Sequence, residues 1–232
     1  MKNHILIIVS FVICAMNLNA QSKDSLKVIT WHINNVTSIN GHATEKIGYP
    51  KVISDNKNKS VLFNGLNDGL IVDSNPLSGA KEFTIEVIFK PDSSSLQANK
   101  EQRFVHVQES KDKRILIELR LANNNSWFLD TFIKSDTSSR TLYSQKIIHP
   151  VNGWYHVALI YKDGSMKDYV NCEEELSGNV NYVPMTGGKI SIGVRQDFRS
   201  WFKGEIKTIR FTNRALKPSG FMSLKNKKKD KH

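Results

Sequence analysis

Charged residues of two neighbouring segments have the types and spacing of a sugar-binding face. Glu118 and Arg120 alternate along one predicted strand, and Asp130 follows in the next segment, after an asparagine-rich turn. Carboxylate and guanidinium groups can hold the hydroxyls of a sugar, while an aromatic ring supports its apolar face. We therefore predict ligand-binding residues of both kinds: Glu118, Arg120, Trp127, Asp130, Arg195 and Trp201.

The aromatic members of this set have a competing interpretation. On a regular strand, Trp127 and Asp130 differ in parity and point to opposite faces of the sheet. In this interpretation Trp127 or Trp201 packs beneath a loop, and the arginines pair with nearby carboxylates, as surface ion pairs commonly do. The sequence leaves both interpretations open.

Catalysis needs a more exact arrangement of side chains than binding does. A retaining glycosidase requires two carboxyl groups about 5 Å apart. Glu82 and Glu86 share one strand face, but the extended chain separates them by roughly 13 Å.

A polysaccharide lyase requires a base and a cation that neutralises the uronate. Glu118, Arg120 and His106 are the candidate residues for a lyase or hydrolase, which is the alternative to binding alone.

The segments that contain these residues alternate between apolar and polar side chains. Between residues 81 and 211 the alternation recurs in short runs divided by Gly, Asn, Asp and Ser turns. This pattern predicts an all-β fold, an antiparallel β-sandwich of the jelly-roll type with little helix. The stretch 28–54 is less regular, and we expect an edge strand and a long loop there. One domain, residues 21–222, accounts for the whole pattern.

The first twenty residues have the features of a secretory signal peptide. Lys2 precedes a short apolar run, and Ala20 supplies a small residue at the predicted cleavage point. Cys14, within the apolar run, leaves lipid attachment as an alternative. Cleavage would leave 212 residues with a single cysteine, Cys172, which has no partner for an internal disulfide. Export without disulfides predicts a periplasmic, cell-surface or extracellular protein of a bacterium.

The formal net charge of +11 is unevenly distributed along the chain. Residues 225–232 contribute +4, so we expect residues 223–232 to form a basic, disordered tail. The chain contains no nucleic-acid-binding motif and no apolar run long enough to span a membrane. The positive charge on the rest of the domain favours an acidic partner, such as a sulfated or uronic polysaccharide.

Three motifs follow one another in a characteristic order. They are VLFNGLNDGLIV at 61–72, GWYHVAL at 153–159, and IG at 192–193 followed by FKGEI at 202–206. Their order and spacing resemble the laminin-G-like branch of the concanavalin A-like lectin/glucanase superfamily. The resemblance covers most of the chain and implies a jelly-roll sandwich. That superfamily includes lectins, glucanases and polysaccharide lyases, so it does not decide the function.

The sequence departs from the pattern of that family at two positions. Many relatives have an aspartate that helps to hold calcium where this chain has Lys207, whose ammonium repels a cation. Asp68, Asp73 and Glu205 are weak calcium candidates, and no other cofactor is expected. Relatives usually have a glycine where this chain has Cys172, which we interpret as a structural thiol at a turn.

Together these features predict an exported, noncatalytic module that binds a glycan or a cell-surface polysaccharide. The alternatives are a polysaccharide lyase or glycoside hydrolase on the same fold, and a structural envelope protein that binds another protein.

Overall fold

The structure is a computed structural model that describes residues 25–55, 58–93, 100–123 and 125–224. The predicted signal peptide and the lysines of the predicted tail, from residue 225 onward, lie outside the described residues. The described residues form β-strands and one 3-10 turn, Pro218–Gly220. The strands are β1 (Val28–His32), β2 (Ser38–Ile39), β3 (His42–Ile47), β4 (Lys51–Asp55), β5 (Asn58–Asn64), β6 (Gly69–Val72), β7 (Phe83–Pro91), β8 (Glu101–Gln108), β9 (Lys113–Asn123), β10 (Ser126–Ser135), β11 (Ser138–Tyr143), β12 (His149–Pro150), β13 (Tyr155–Lys162), β14 (Ser165–Val170), β15 (Glu173–Asn179), β16 (Lys189–Ile192) and β17 (Lys203–Thr212).

The strands form two antiparallel sheets. The eight-stranded sheet has the order β15-β14-β13-β7-β17-β5-β4, with β1 also paired to β17. The nine-stranded sheet has the order β11-β10-β9-β8-β16-β6-β3-β2, with β12 beside the start of β10. One core lies between the sheets, so the predicted all-β sandwich is confirmed.

The core follows from the alternation in the sequence. On β7, Phe83, Ile85, Val87 and Phe89 are fully buried between the sheets, and the residues between them face the other way. The ring of Phe89 lies 4.4 Å from that of Phe104 on the opposite sheet. Burying each such side chain contributes about 1.5–3 kcal/mol, which explains why strands of this length stay in register.

Strand β17 bends where it passes from one neighbour to the next. Gly204 has φ +140°, and a Cβ there would collide with the carbonyl oxygen of Lys90. A bulge between Ile206 and Thr208 shifts the register against β7, so Ile209 and Phe211 still face the core. A glycine is therefore required at this bend, where two strands approach closely.

The N-terminal stretch corrects one prediction. Instead of an edge strand and a long loop, residues 28–55 form β1 to β4, which lie on both sheets. Most side chains of β3 and β4 are exposed, because these strands lie near sheet edges. Strands with no deeply buried face show little apolar alternation, so the sequence pattern misses them.

Each sheet also has an outward face, and the two clefts described below lie on these faces. We call them the nine-strand face and the eight-strand face. Within the described ranges, no helix is long and apolar enough to cross a membrane.

Candidate ligand-binding site

Three of the predicted site residues meet on the nine-strand face. Glu118 lies directly between Arg103 on β8 and Asp130 on β10 in the strand ladder. Arg120 is the next outward residue of β9, opposite Glu101 on β8. Neighbouring antiparallel strands place opposed side chains about 5 Å apart, so these groups form one contiguous cluster.

This cluster is a closed network of ion pairs. Glu118 lies 2.5 Å from the Arg103 Nε, and Asp130 lies 2.5 Å from the Arg120 Nε. The carboxylate of Glu101 joins the two arginines, at 3.2 Å from Arg103 and 2.9 Å from Arg120. Because every arginine already has carboxylate partners, the cluster has little charge left for a ligand.

Burial controls the protonation of the two inner carboxyl groups. Glu118 is 3% exposed and Asp130 is fully buried. Burial, with the adjacent Asp130 charge, raises the pKa of Glu118 to about 8, and burial also raises the pKa of Asp130. A proton on Glu118 therefore bridges the pair at neutral pH. The two carboxyl groups face each other beneath arginines, which leaves no space for a sugar ring between them.

His106, the third residue of the lyase alternative, is equally inaccessible. Its side chain is fully buried, and burial together with the nearby arginines Arg114 and Arg103 lowers its pKa to about 3. The backbone N–H of Gln196 donates to its Nδ1 at 3.2 Å. In this state the ring is neutral and supports the loop above it, and it has no exposed nitrogen to act on a substrate.

Trp127 must be removed from the predicted ligand-binding set. It is fully buried in the core, where its ring contacts Phe89, His149 and Tyr155, and its Nε1 donates to the carbonyl of Pro150. The physical reason is the strand parity: Trp127 and Asp130 point to opposite sides of β10.

The loop 193–202 contains the remaining two predicted residues, Arg195 and Trp201, and contacts the ion-pair network through Ser200. The backbone N–H of Arg103 donates to the carbonyl of Ser200 at 2.9 Å, and the Arg103 guanidinium also contacts the Ser200 hydroxyl. The ring of Trp201 stacks on that of Phe198, with 6.4 Å between their centroids. The buried network therefore serves to position this loop.

The loop forms one wall of a cleft of about 640 Å³ at the end of the nine-strand face. The floor and the other wall come from β8, β9, β10 and the turn between β8 and β9. Five of the lining residues are basic and two are acidic, so the cleft carries a formal charge of +3. The charged residues are Lys111, Asp112, Arg114, Lys134, Arg195, Asp197 and Arg199.

Several of these charges are only partly compensated. Asp112 pairs with Lys134 at 2.7 Å, and Asp197 pairs with both Arg199 at 2.9 Å and Arg195 at 3.3 Å. No carboxylate of the described residues lies within ion-pair distance of Arg114, whose guanidinium rests on the ring of Phe132. Burial lowers the pKa of Arg114, the charges of Asp112 and Asp197 partly oppose this shift, and Arg199 and Arg103 add to it.

Sequence reasoning missed Arg114 and Lys134, although a signal was present. These two cations lie directly opposite each other on β9 and β10. Like charges in that position repel and destabilise a hairpin unless something compensates them. Counting residues outward from the asparagine turn gives this pairing, whereas the walls contributed by the loop 193–202 depend on tertiary structure.

The three calcium candidates do not come together. Asp68 is buried and accepts backbone N–H groups of Tyr49 and Asn64, while Asp73 is exposed near Lys189. Glu205 accepts from Lys90 and Ser60. Among the described residues, no group of three His, Cys, Asp or Glu side chains is arranged to hold a metal ion.

Known proteins resemble the chain mainly in fold. Residues 63–220 match the laminin G-like profile of the concanavalin A-like lectin/glucanases superfamily. No curated protein sequence is significantly similar to the chain.

Three solved structures share the sandwich at low sequence identity. Domain 4 of an extracellular arabinanase from Geobacillus stearothermophilus, in complex with arabinotriose, has a TM-score of 0.62 and 19% identity, over 84% of this chain and 96% of that one. The binding domain of botulinum neurotoxin DC, in complex with SialylT, has a TM-score of 0.59 and 13% identity, over 83% of this chain and 49% of that one. A heptameric SAP-like pentraxin from Limulus polyphemus has a TM-score of 0.52 and 18% identity, over 75% and 77%.

Proposed function

The chain belongs to the concanavalin A-like lectin/glucanase superfamily, and we propose that it is an exported, noncatalytic module that binds an acidic glycan in the cleft of the nine-strand face. The predicted signal peptide supports the export, and the acidic ligand is inferred from the charge of the cleft. The ligand class is a uronic or sulfated polysaccharide.

The observation that carries this proposal is the excess of positive charge around Arg114. Arg114 and Lys134 lie opposite each other on β9 and β10, and Arg195 and Arg199 face them from the loop. The negative charges of Asp112 and Asp197 do not balance these four positive charges. An unbalanced cluster of like charges costs folding free energy. A carboxylate or sulfate in the cleft would offset that cost, because guanidinium groups form charge-assisted hydrogen bonds with both.

Binding is favoured over turnover by the state of the carboxyl pair formed by Glu118 and Asp130. Glu118 and Asp130 share a proton and are covered by arginines, and His106 is fully buried. These groups hold the loop 193–202 in place. The structural neighbours solved with arabinotriose and with SialylT support a saccharide as the ligand of a sandwich of this kind.

The proposal is tested by calorimetric titration with oligosaccharides of polygalacturonate, alginate, chondroitin sulfate and heparin. We expect binding to at least one of them and weaker binding at higher salt. Arg199→Ala and Lys134→Ala should each weaken that binding roughly tenfold, because each removes a charge-assisted hydrogen bond.

The matched control is Lys51→Ala, which removes the same charge from an exposed position on the other sheet. Its affinity should equal that of the wild type. Failure to bind any of the acidic oligosaccharides would contradict the proposal, and so would an equal loss in Lys51→Ala, since that result indicates nonspecific attraction.

A further inference from the structure

A second cleft lies on the eight-strand face, on the opposite side of the molecule. Its volume is about 440 Å³, and it opens between β4 and β5 on one side and the start of β13 on the other. The strands beneath it are β17 and β7. No residue of the nine-strand face lines it. A ligand here would therefore bind independently of the first cleft, lined by Arg114 and Lys134, which we call the basic cleft.

The floor of this cleft is a row of polar side chains fixed by hydrogen bonds. Glu205 accepts from the Lys90 Nζ at 3.2 Å and from the Ser60 hydroxyl at 2.9 Å. In the neighbouring row, the Lys207 Nζ donates to the Asn58 Oδ1 at 2.9 Å. These contacts hold a carboxylate, an amide and two ammonium groups at defined positions, each with hydrogen-bonding capacity left over.

An exposed tryptophan stands at one end of this floor. Tyr155 pairs with Phe89 on β7, so the preceding residue, Trp154, lies beside Lys90 at the edge of the row. Trp154 is 38% exposed, whereas Trp31 and Trp127 are fully buried. The Lys207 ammonium lies 6.0 Å from the Trp154 ring centroid, at the outer limit of a cation–π contact.

The charge of this second cleft differs from that of the first. Its lining residues include three lysines and two carboxylates, which nearly balance: Asp55, Lys59, Lys90, Glu205 and Lys207. A balanced set of donors and acceptors complements hydroxyl groups, which both donate and accept. An indole ring beside such a set supports the apolar face of a pyranose.

We propose that this cleft is a second saccharide-binding site, specific for a neutral pyranose, with Trp154 as its platform and Glu205 and Lys90 as hydroxyl-binding groups. The domain then has two sites of different specificity on opposite faces. Such a module joins an acidic glycan to a neutral one.

The test uses intrinsic fluorescence in a Trp201→Phe background. In that variant Trp154 is the exposed indole of the described residues, because Trp31 and Trp127 are buried. The probes are cellohexaose, xylohexaose, mannohexaose and an oligomer of N-acetylglucosamine. At least one should shift the emission and protect Trp154 from acrylamide quenching.

Calorimetry on single variants of the wild type then locates the site. Trp154→Ala should weaken binding of that sugar by tenfold or more, Glu205→Gln should weaken it severalfold, and Trp154→Phe should retain most of it. Circular dichroism and thermal unfolding establish that each variant is folded. Arg199→Ala, in the other cleft, should leave the affinity for the neutral sugar unchanged.

Several results would overturn the second site. They are the absence of binding by every neutral probe, an equal affinity in Trp154→Ala, or a parallel loss in Arg199→Ala, which would indicate one shared site. Because acidic probes report on the basic cleft and neutral probes on this one, failure of either site is distinguishable from failure of the other.

Discussion

At the scale of single residues, the arginines of the nine-strand face differ in whether a carboxyl group lies within ion-pair distance. Arg103 and Arg120 contact carboxyl groups that are almost wholly buried, and this network holds the loop above it. Arg114 has no such partner within the described ranges and lies in an open cleft. The first two arginines therefore position structure, and Arg114 belongs to the surface that we expect to contact ligand.

The protonated carboxyl pair predicts a specific pH dependence of stability. Because the pKa of Glu118 is raised to about 8, the folded protein keeps a proton that the unfolded chain loses near pH 4.5. The resulting stabilisation is complete below pH 4.5 and is lost as pH rises towards 8. The slope is at most about 1.4 kcal/mol per pH unit.

Glu118→Gln should remove this contribution, since the amide donates to Asp130 at any pH. Urea unfolding of both proteins between pH 5 and pH 8 measures the difference, and subtraction cancels the contribution of Asp168, whose pKa is raised to about 7 in both. The free energy of the wild type should fall relative to that of the variant as pH rises. Parallel curves would show that Glu118 is ionised throughout.

At the scale of elements, the sequence predicted the central strands and missed the peripheral ones. Strands β7 and β9 alternate because their core-facing residues are apolar, whereas β10 and β13 are short, mainly apolar runs bounded by turns. Strands β3 and β4 lack a buried face. The pairing of Arg103 with Glu118 depends on a bulge between Arg103 and Val105, which no local pattern reveals. Glu118 and Asp130 were predictable because both belong to one hairpin.

The turn between β14 and β15 gives a second prediction. Asn171 and Cys172 both have positive φ, +51° and +74°, which is the backbone of a two-residue turn that favours Asn-Gly. Cys172 is exposed, but partial desolvation of its sulfur and the charges of Glu86 and Glu173 raise the pKa of its thiol, so it stays largely unreactive. The Cβ of Cys172 therefore imposes backbone strain at this turn.

Cys172→Gly should therefore stabilise the domain by about 1 kcal/mol, the usual cost of a left-handed conformation for a residue with a Cβ. The matched control is Cys172→Ala, which removes the thiol and keeps the Cβ. The urea midpoint of the glycine variant should lie above those of the wild type and the alanine variant. Equal midpoints for glycine and alanine would contradict the strain.

At the scale of the whole molecule, one sandwich presents two outward faces of different charge. The basic cleft lies on the nine-stranded sheet, and the second cleft, whose charges nearly balance, lies on the eight-stranded sheet. The fold class and the family were readable from the order of three motifs. The clefts were not, because each combines residues from strands or loops that are distant in the sequence. Arg114 and Arg199, for example, meet only after β8 and β16 pair.

The most direct test of the central claim is a map of the ligand on the protein by backbone NMR. The wild type is titrated with hexagalacturonate and, separately, with a chondroitin sulfate hexasaccharide. We expect at least one of them to shift the amides of residues 108–114, Lys134 and residues 195–199, and to leave those of the eight-strand face unchanged. Shifts confined to other surfaces, or no shift with either ligand, would contradict acidic glycan binding in this cleft.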